Sequence, residues 1–150
     1  MNESNSAELM LVEDNPQDLE LALLALREGH PLHRIHVARD GAEALDYIFC
    51  EGPHAGRLIA DMPKVILLDL KLPKVDGLDV LRRVRADART KLVPVVMLTS
   101  SREQRDVIES YQLGVNSYIV KPVNFERYTQ AVRDLGMYWM LLNQPLNVGS

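Results

Sequence analysis

The 150-residue chain has a single cysteine, no apolar run of membrane-spanning length and no excess of positive charge. One cysteine, Cys50, rules out an internal disulfide and makes the cytoplasm the natural compartment. Cys50 closes a helical pattern with no partner base nearby, so it reads as a small, partly buried hydrophobe rather than a nucleophile. No stretch approaches the roughly 18 apolar residues of a membrane span. The polar start Met1-Asn2-Glu3-Ser4-Asn5-Ser6 is not a secretory leader. A net charge of −4 offers no clustered basic face, which excludes nucleic acid as a partner class. Internal repeats, low-complexity segments and linkers are absent as well, and the length suits one domain with a proper core.

What is present is a set of four short apolar runs, each ending on a charged or hydroxyl residue. Leu9-Met10-Leu11-Val12 leads into Glu13 and Asp14, and Val65-Ile66-Leu67-Leu68 into Asp69. Val95-Val96-Met97-Leu98 leads into Thr99, and Tyr118-Ile119-Val120 into Lys121. Runs of this kind, alternating with helical patterns, read as strands of a buried parallel sheet. Ligands of such sheets bind in the crevice at the carboxyl ends of the strands. Taken singly, each residue has a plainer reading. The acid pair suits a solvated helix start, Asp69 a loop ion pair with Lys71 or Lys74, Thr99 a helix cap, and Lys121 a surface charge before Pro122. Their joint placement at one sheet edge favours chemistry.

The chain divides into five strand–helix units. Strands are expected at about 8–12, 35–38, 65–70, 93–98 and 117–120. Asn15-Pro16 starts the first helix as cap and first helical residue, with Asp18 and Glu20 near the positive end of its dipole and Gly29 ending it. The second follows Asp40-Gly41, with Ala42, Leu45, Ile48 and Phe49 inward, and the third carries Leu78, Leu81 and Val84 after Gly77. The fourth runs from about Arg102 to Leu113, apolar at Val107, Ile108 and Tyr111, and the fifth begins near Asn124. Strands alternating with helices imply a doubly wound α/β sandwich.

At this point the chain resembles the receiver domains of two-component response regulators over nearly its whole length. The matching residues are Leu11-Val12-Glu13-Asp14-Asn15, Leu67-Leu68-Asp69-Leu70 followed by Leu72-Pro73-Lys74-Val75-Asp76-Gly77, then Leu98-Thr99-Ser100 and Lys121-Pro122. Within that family it is similar to the small stand-alone receivers associated with cyanobacterial phytochromes. That likeness rests on Glu13-Asp14-Asn15-Pro16, Ser110-Tyr111-Gln112-Leu113-Gly114 and the long segment after the second helix. The resemblance implies a flavodoxin-like five-stranded parallel sheet in the order 2-1-3-4-5 with five helices. One receiver domain over 1–150 is expected, with a core of about 7–143; the roughly ten residues after the last helix, which Gln144-Pro145 stops, make a short carboxyl-terminal tail with no output domain expected.

The family chemistry carries over residue by residue. Asp69 would be the phosphoacceptor, attacking a phosphohistidine on a partner histidine kinase, here of phytochrome type. Glu13, Asp14 and Asp69 repel one another by about 3 kcal/mol per pair at about 5 Å, which a hard divalent cation offsets, and Mg²⁺ suits such oxygens. The resemblance adds the backbone carbonyl of Lys71 as a ligand, and makes Lys121 and the Thr99 hydroxyl partners of the phosphoryl group. It also makes Thr99 and Tyr118 a switch pair acting on the helix 4–strand 5–helix 5 face, and Lys121–Pro122 a cis bond. Such a protein catalyses only its own phosphotransfer and dephosphorylation. Lys71 in place of a second aspartate argues against a haloacid-dehalogenase-type phosphatase, and Glu13-Asp14-Asn15-Pro16 would repel the phosphate of a flavodoxin-type cofactor. A degenerate receiver serving only as a dimeric binding module is the alternative.

Three features stand outside that pattern. Cys50–Lys64 is long for a helix–strand connection, which suggests a partial extension of the second helix or a contact for a kinase partner. His30, His33, His36 and His54 lack metal-ligand spacing and read as surface or turn residues. Tyr128, Val132, Leu135, Trp139 and Leu142 form one stripe of the last helix, while Met137, Tyr138, Met140 and Leu141 make its end apolar all round, followed by Leu146 after the stop at Gln144-Pro145. That surplus predicts a homodimer through Met137, Tyr138, Met140 and Leu141.

Overall fold

The computed structural model describes residues 7–29, 34–122 and 124–143, with the side chains of Leu141 and Leu142 excepted. His30, His33, Gln144, Pro145 and Leu146 lie outside the described residues. Five strands, β1 (Leu9–Val12), β2 (Ile35–Ala38), β3 (Val65–Leu68), β4 (Val95–Thr99) and β5 (Ser117–Val120), form one sheet in the order β2-β1-β3-β4-β5. All neighbours run parallel. The helices are α1 (Pro16–Gly29), α2 (Gly41–Ile48), α3 (Gly77–Ala86), α4 (Gln104–Gln112) and α5 (Phe125–Met137), the last passing into a π-helical turn at Tyr138–Leu142. This is the flavodoxin-like arrangement that the sequence pattern and the resemblance imply.

Alternation along the central strands divides the core. Met10, Val12, Ile66, Leu68, Val95 and Met97 pack on one side with residues of α2 and α3. Leu9, Leu11, Val65, Leu67, Val96 and Leu98 pack on the other with α1 and α5. Strands buried on both faces need continuous apolar runs, and β1, β3 and β4 have them. Among the described residues no helix is long and apolar enough to cross a membrane.

Several local expectations are corrected. β3 stops at Leu68 because Leu70 turns out of the ladder, its carbonyl accepting from the Gly77 amide at 2.8 Å. β4 starts at Val95, where the Asn116 side chain accepts the Val95 amide at 2.8 Å after Pro94, which has no N–H. In α2 the buried residues are Ala44, Leu45, Tyr47 and Ile48, whereas Ala42 and Phe49 are only half-buried. In α3 Val80 joins Leu81 and Val84 inside, and Leu78 is half-buried. α4 is the sharpest departure. Its polar Asp106 and Ser110 face inward, while Ile108 and Tyr111 are exposed and Val107 is half-buried. No cis peptide occurs among the described residues, so Lys121–Pro122 is trans, and from that geometry the lysine still turns into the site.

The segment after α2 does not extend it. Cys50 adopts a left-handed φ of 56°, which ends helical winding, and a 3₁₀ turn follows at Gly52–His54. Arg57 then lies over the Tyr47 ring at 3.8 Å and donates to the carbonyls of Tyr47 and Asp61. His36 stacks on Tyr47 at 3.8 Å, and His54 meets both rings edge-on. These two histidines therefore belong to a ring cluster instead of standing free on turns. Burial, helped by His54 and Arg57, lowers the His36 pKa to about 4.

The end of α5 also departs from expectation. The residues it buries are Tyr128, Val132 and Gly136, and Met140 follows in the π turn. Tyr128, Val132 and Gly136 follow the i, i+4 spacing of one α-helical face. A Cβ on Gly136 would come within 2.6 Å of Leu26 Cδ2, so glycine here lets α5 close on α1. Met140 thus packs into the core of its own domain and is unavailable as an interface residue. Met137 and Tyr138 remain exposed, at 43% and 48%. The Leu141 side chain lies outside the described residues.

Candidate functional site

The register of the sheet assembles the site. Val12 stands beside Leu68, so Glu13 and Asp69 emerge next to each other, and the Asp69 amide continues the ladder to the Val12 carbonyl at 3.1 Å. Thr99 pairs with Val120, and the Lys121 amide reaches the Thr99 carbonyl at 2.7 Å. Gly77 closes the floor: a Cβ there would sit 2.2 Å from the Asp69 carbonyl oxygen. The first turn of α1 lies over this edge, with Asn15 capping it through bonds from the Gln17 and Asp18 amides.

Glu13, Asp14 and Asp69 each present a carboxylate oxygen, all within 4.8 Å of one another. Asp14 is exposed, whereas Glu13 and Asp69 are buried. Burial, followed by the charge of Asp69, raises the Glu13 pKa to about 7 against the opposing pull of Lys121. Three hard oxygen donors with mutual repulsion fit a divalent cation that favours oxygen. Lys71 contributes its amide to Asp69 Oδ1 at 3.3 Å, with its side chain in solvent.

Lys121 Nζ is 2.6 Å from Glu13 Oε1, 2.9 Å from Asp18 Oδ2 and 3.1 Å from Asp69 Oδ2. Burial alone would lower the lysine pKa. The hydrogen bond to Glu13 and the charges of Asp69 and Glu13 outweigh that effect and hold it above the ordinary value. The ammonium therefore stays charged beside Asp69. Asp18 was legible only as a helix-dipole residue, since nothing in its spacing reveals that Lys121 reaches back to α1.

Thr99 is fully buried, and its hydroxyl oxygen accepts from the Ser101 amide at 3.3 Å. Tyr118 is half-buried and donates to the Ser101 carbonyl at 3.0 Å. The Ser101 hydroxyl donates to the buried Asp106 carboxylate at 2.6 Å. Three elements thus converge on Ser101. The structure brings Glu13, Asp14, Asp69 and Lys121 into one cluster, while Thr99 and Tyr118 meet at the neighbouring loop.

Comparison with known proteins bears on this arrangement. Residues 9–133 match the response regulator receiver domain family. The chain is 35% identical to the response regulator Rcp1 of Synechocystis sp. over 93% of each sequence. A crystal structure of Rcp1 with Mn²⁺ bound superposes with a TM-score of 0.87 at 33% identity, covering 94% of this chain and 99% of Rcp1. The phosphorylated cyanobacterial phytochrome response regulator RcpA gives a TM-score of 0.88 at 37% identity, covering 95% and 99%. The bacteriophytochrome response regulator AtBRR is 51% identical with a TM-score of 0.71, covering 94% and 100%. With five parallel strands in the matching order and an acidic cluster at their carboxyl edge, the chain belongs to the response regulator receiver domains and is related to the phytochrome-associated members of that family.

Proposed function

We propose that this protein accepts a phosphoryl group on Asp69 from a histidine kinase and signals through the surface that responds. The observation that carries this reading is the ammonium of Lys121, set 3.1 Å from Asp69 among three carboxylates. An Asp69 oxygen attacks the phosphorus of a phosphohistidine, forming an aspartyl O–P bond as the N–P bond breaks. The imidazole leaves with the bonding pair and takes up a proton. Lys121 stays protonated and donates to a phosphoryl oxygen, and the Thr99 hydroxyl turns from the Ser101 amide to donate to another. Glu13, Asp14, Asp69 and the Lys71 carbonyl would hold Mg²⁺, which neutralises charge on the transferring group.

The kinase is of phytochrome type, a reading supported by the relationship to RcpA and AtBRR. Turning Thr99 frees the Ser101 amide, which shares its residue with the Tyr118 contact and so draws Tyr118 and α4 into the response. The output is a second copy of the chain docked along β5 and α5. Supporting that is a groove of about 540 Å³ lined by Ile119, Leu135, Tyr138 and Trp139, among others, beside the exposed Met137.

Acetyl phosphate with MgCl₂ should label the wild-type protein, while the near-isosteric Asp69→Asn variant should fold and remain unlabelled. Equal labelling of both would exclude Asp69 as acceptor. An unlabelled wild type would leave a dimeric binding module in place of a phosphoacceptor.

A further inference from the structure

We propose that Asp18 is a positioning residue that restrains Lys121 in the unphosphorylated site and is exchanged for a phosphoryl oxygen during transfer. The inference rests on the phosphoacceptor reading of Asp69. A lysine ammonium has three protons, and here Glu13, Asp18 and Asp69 accept all three. An arriving phosphoryl oxygen can be bonded only if one of these acceptors is released. Glu13 is the shortest contact and its side chain is 3% exposed, so stripping it of its partner leaves a buried carboxylate uncompensated. The Asp69 side chain, 10% exposed, is the acceptor itself. Asp18 is 32% exposed and can be rehydrated with little penalty. It is the partner that yields.

Asp18 is also held in a fixed pose. Its amide donates to the Asn15 cap at 3.0 Å. Its carbonyl accepts from the Tyr128 hydroxyl at 3.2 Å, and Tyr128 is a buried core residue of α5. Backbone bonds on both sides aim the carboxylate at Lys121 from outside the cluster of Glu13, Asp14 and Asp69. The position adds one more negative charge to an entrance that anionic donors must approach, and it occupies one of the three Lys121 protons. A helix-dipole acid alone would need neither the tether to α5 nor the 2.9 Å contact to Lys121.

The expected consequence is a restraint on phosphorylation that isosteric removal of the charge relieves. Wild type, Asp18→Asn and Asp18→Glu are labelled with acetyl phosphate and MgCl₂ at high salt, so that long-range repulsion of the donor is screened. Saturating rate and half-saturating donor concentration are measured separately. Asp18→Asn should raise the saturating rate by up to about five-fold, the upper end for a partly exposed ion pair. Asp18→Glu, which restores the charge, should return it towards wild type. A change in half-saturation alone would mark donor repulsion and overturn the proposal, as would a rate equal to or below wild type in a folded Asp18→Asn protein. Failure of the wild type itself to label would instead refute the phosphoacceptor reading and remove this inference with it.

Discussion

Replacing Asp69 with asparagine should make the metal-free protein more stable while abolishing its chemistry. Asp69 lies within 4.8 Å of Glu13 and Asp14 oxygens and 3.1 Å from the Lys121 ammonium. At an effective dielectric near 20, each carboxylate pair repels by about 3 kcal/mol and the lysine attracts by about 5 kcal/mol. Once the side chain at this position is neutral, Lys121 still has Glu13 and Asp18. The variant therefore gains roughly 1–2 kcal/mol in the absence of metal, equivalent to about 2–8 °C in melting temperature at this chain length. Saturating MgCl₂ should reverse the order, because the ion stabilises only the state that binds it, and a neutral amide is a poorer ligand than a carboxylate.

The same reasoning fixes the pH dependence. Glu13 titrates at about 7 in the folded protein against an ordinary value of 4.5. Its contribution is thus fully present below 4.5 and is lost as pH rises through 7, where the third charge appears. The gap between Asp69→Asn and wild type in EDTA should widen from acid to mildly alkaline pH. Calorimetric melts of both proteins, with EDTA and with MgCl₂, provide the measurement. If the two melt together in EDTA, or if MgCl₂ raises both equally, the acidic cluster is not a repulsive metal site and the account fails.

Two further outcomes follow from the structure. His36 titrates at about 4 in the folded state against 6.5 when free, so it supports folding above 6.5 and loses that support as pH falls through 4; for a half-buried ring the loss is roughly 1–2 kcal/mol. His36→Phe, which keeps a ring on Tyr47, should flatten the acid side of the stability profile, and an unchanged profile would show that the cluster does not titrate in that window. Met137→Asp with Tyr138→Asp, both exposed in the monomer, should turn a sedimenting dimer into a folded monomer whose melting temperature no longer depends on protein concentration. An intact protein that sediments as a monomer at tens of micromolar, phosphorylated or not, would refute docking between copies.

The sheet was legible because its strands are buried on both faces. The apolar runs of β1, β3 and β4 have no alternation to misread, and β2 and β5 fall at the residues expected. The acids and Lys121 were legible because each follows directly on such a run. What escaped was decided by contacts distant in sequence. Asp18 belongs to the site only because Lys121, 103 residues away, folds back to it. Met140 reads as surplus apolar surface on a regular helix, whereas it lies in the π turn and is buried in the core. Tyr47 stands in α2, yet its partners His36, His54 and Arg57 come from β2 and the following segment.

The polar inner face of α4 is the most instructive of these, because it bears on how a charge change at Asp69 could be felt elsewhere. α1 is pinned by the buried Leu19, Ala22, Ala25 and Leu26, and each fully buried large side chain contributes about 1.5–3 kcal/mol. α4 fully buries no large apolar residue; what it turns inward are Asp106 and Ser110, the latter with its hydroxyl unpaired. Its inward polar face is bonded through Asp106, which accepts from the Ser101 hydroxyl at 2.6 Å. The same Ser101 receives Tyr118 at its carbonyl and donates its amide to Thr99. A rotation of Thr99 toward a phosphoryl group would remove one of the bonds that fix this loop. Elements held by few apolar contacts are those that open at low free energy, and α4 is linked through Ser101 to the Thr99 hydroxyl. Ile108 and Tyr111, apolar residues of this helix, are exposed and place apolar surface on the element that such a switch would move.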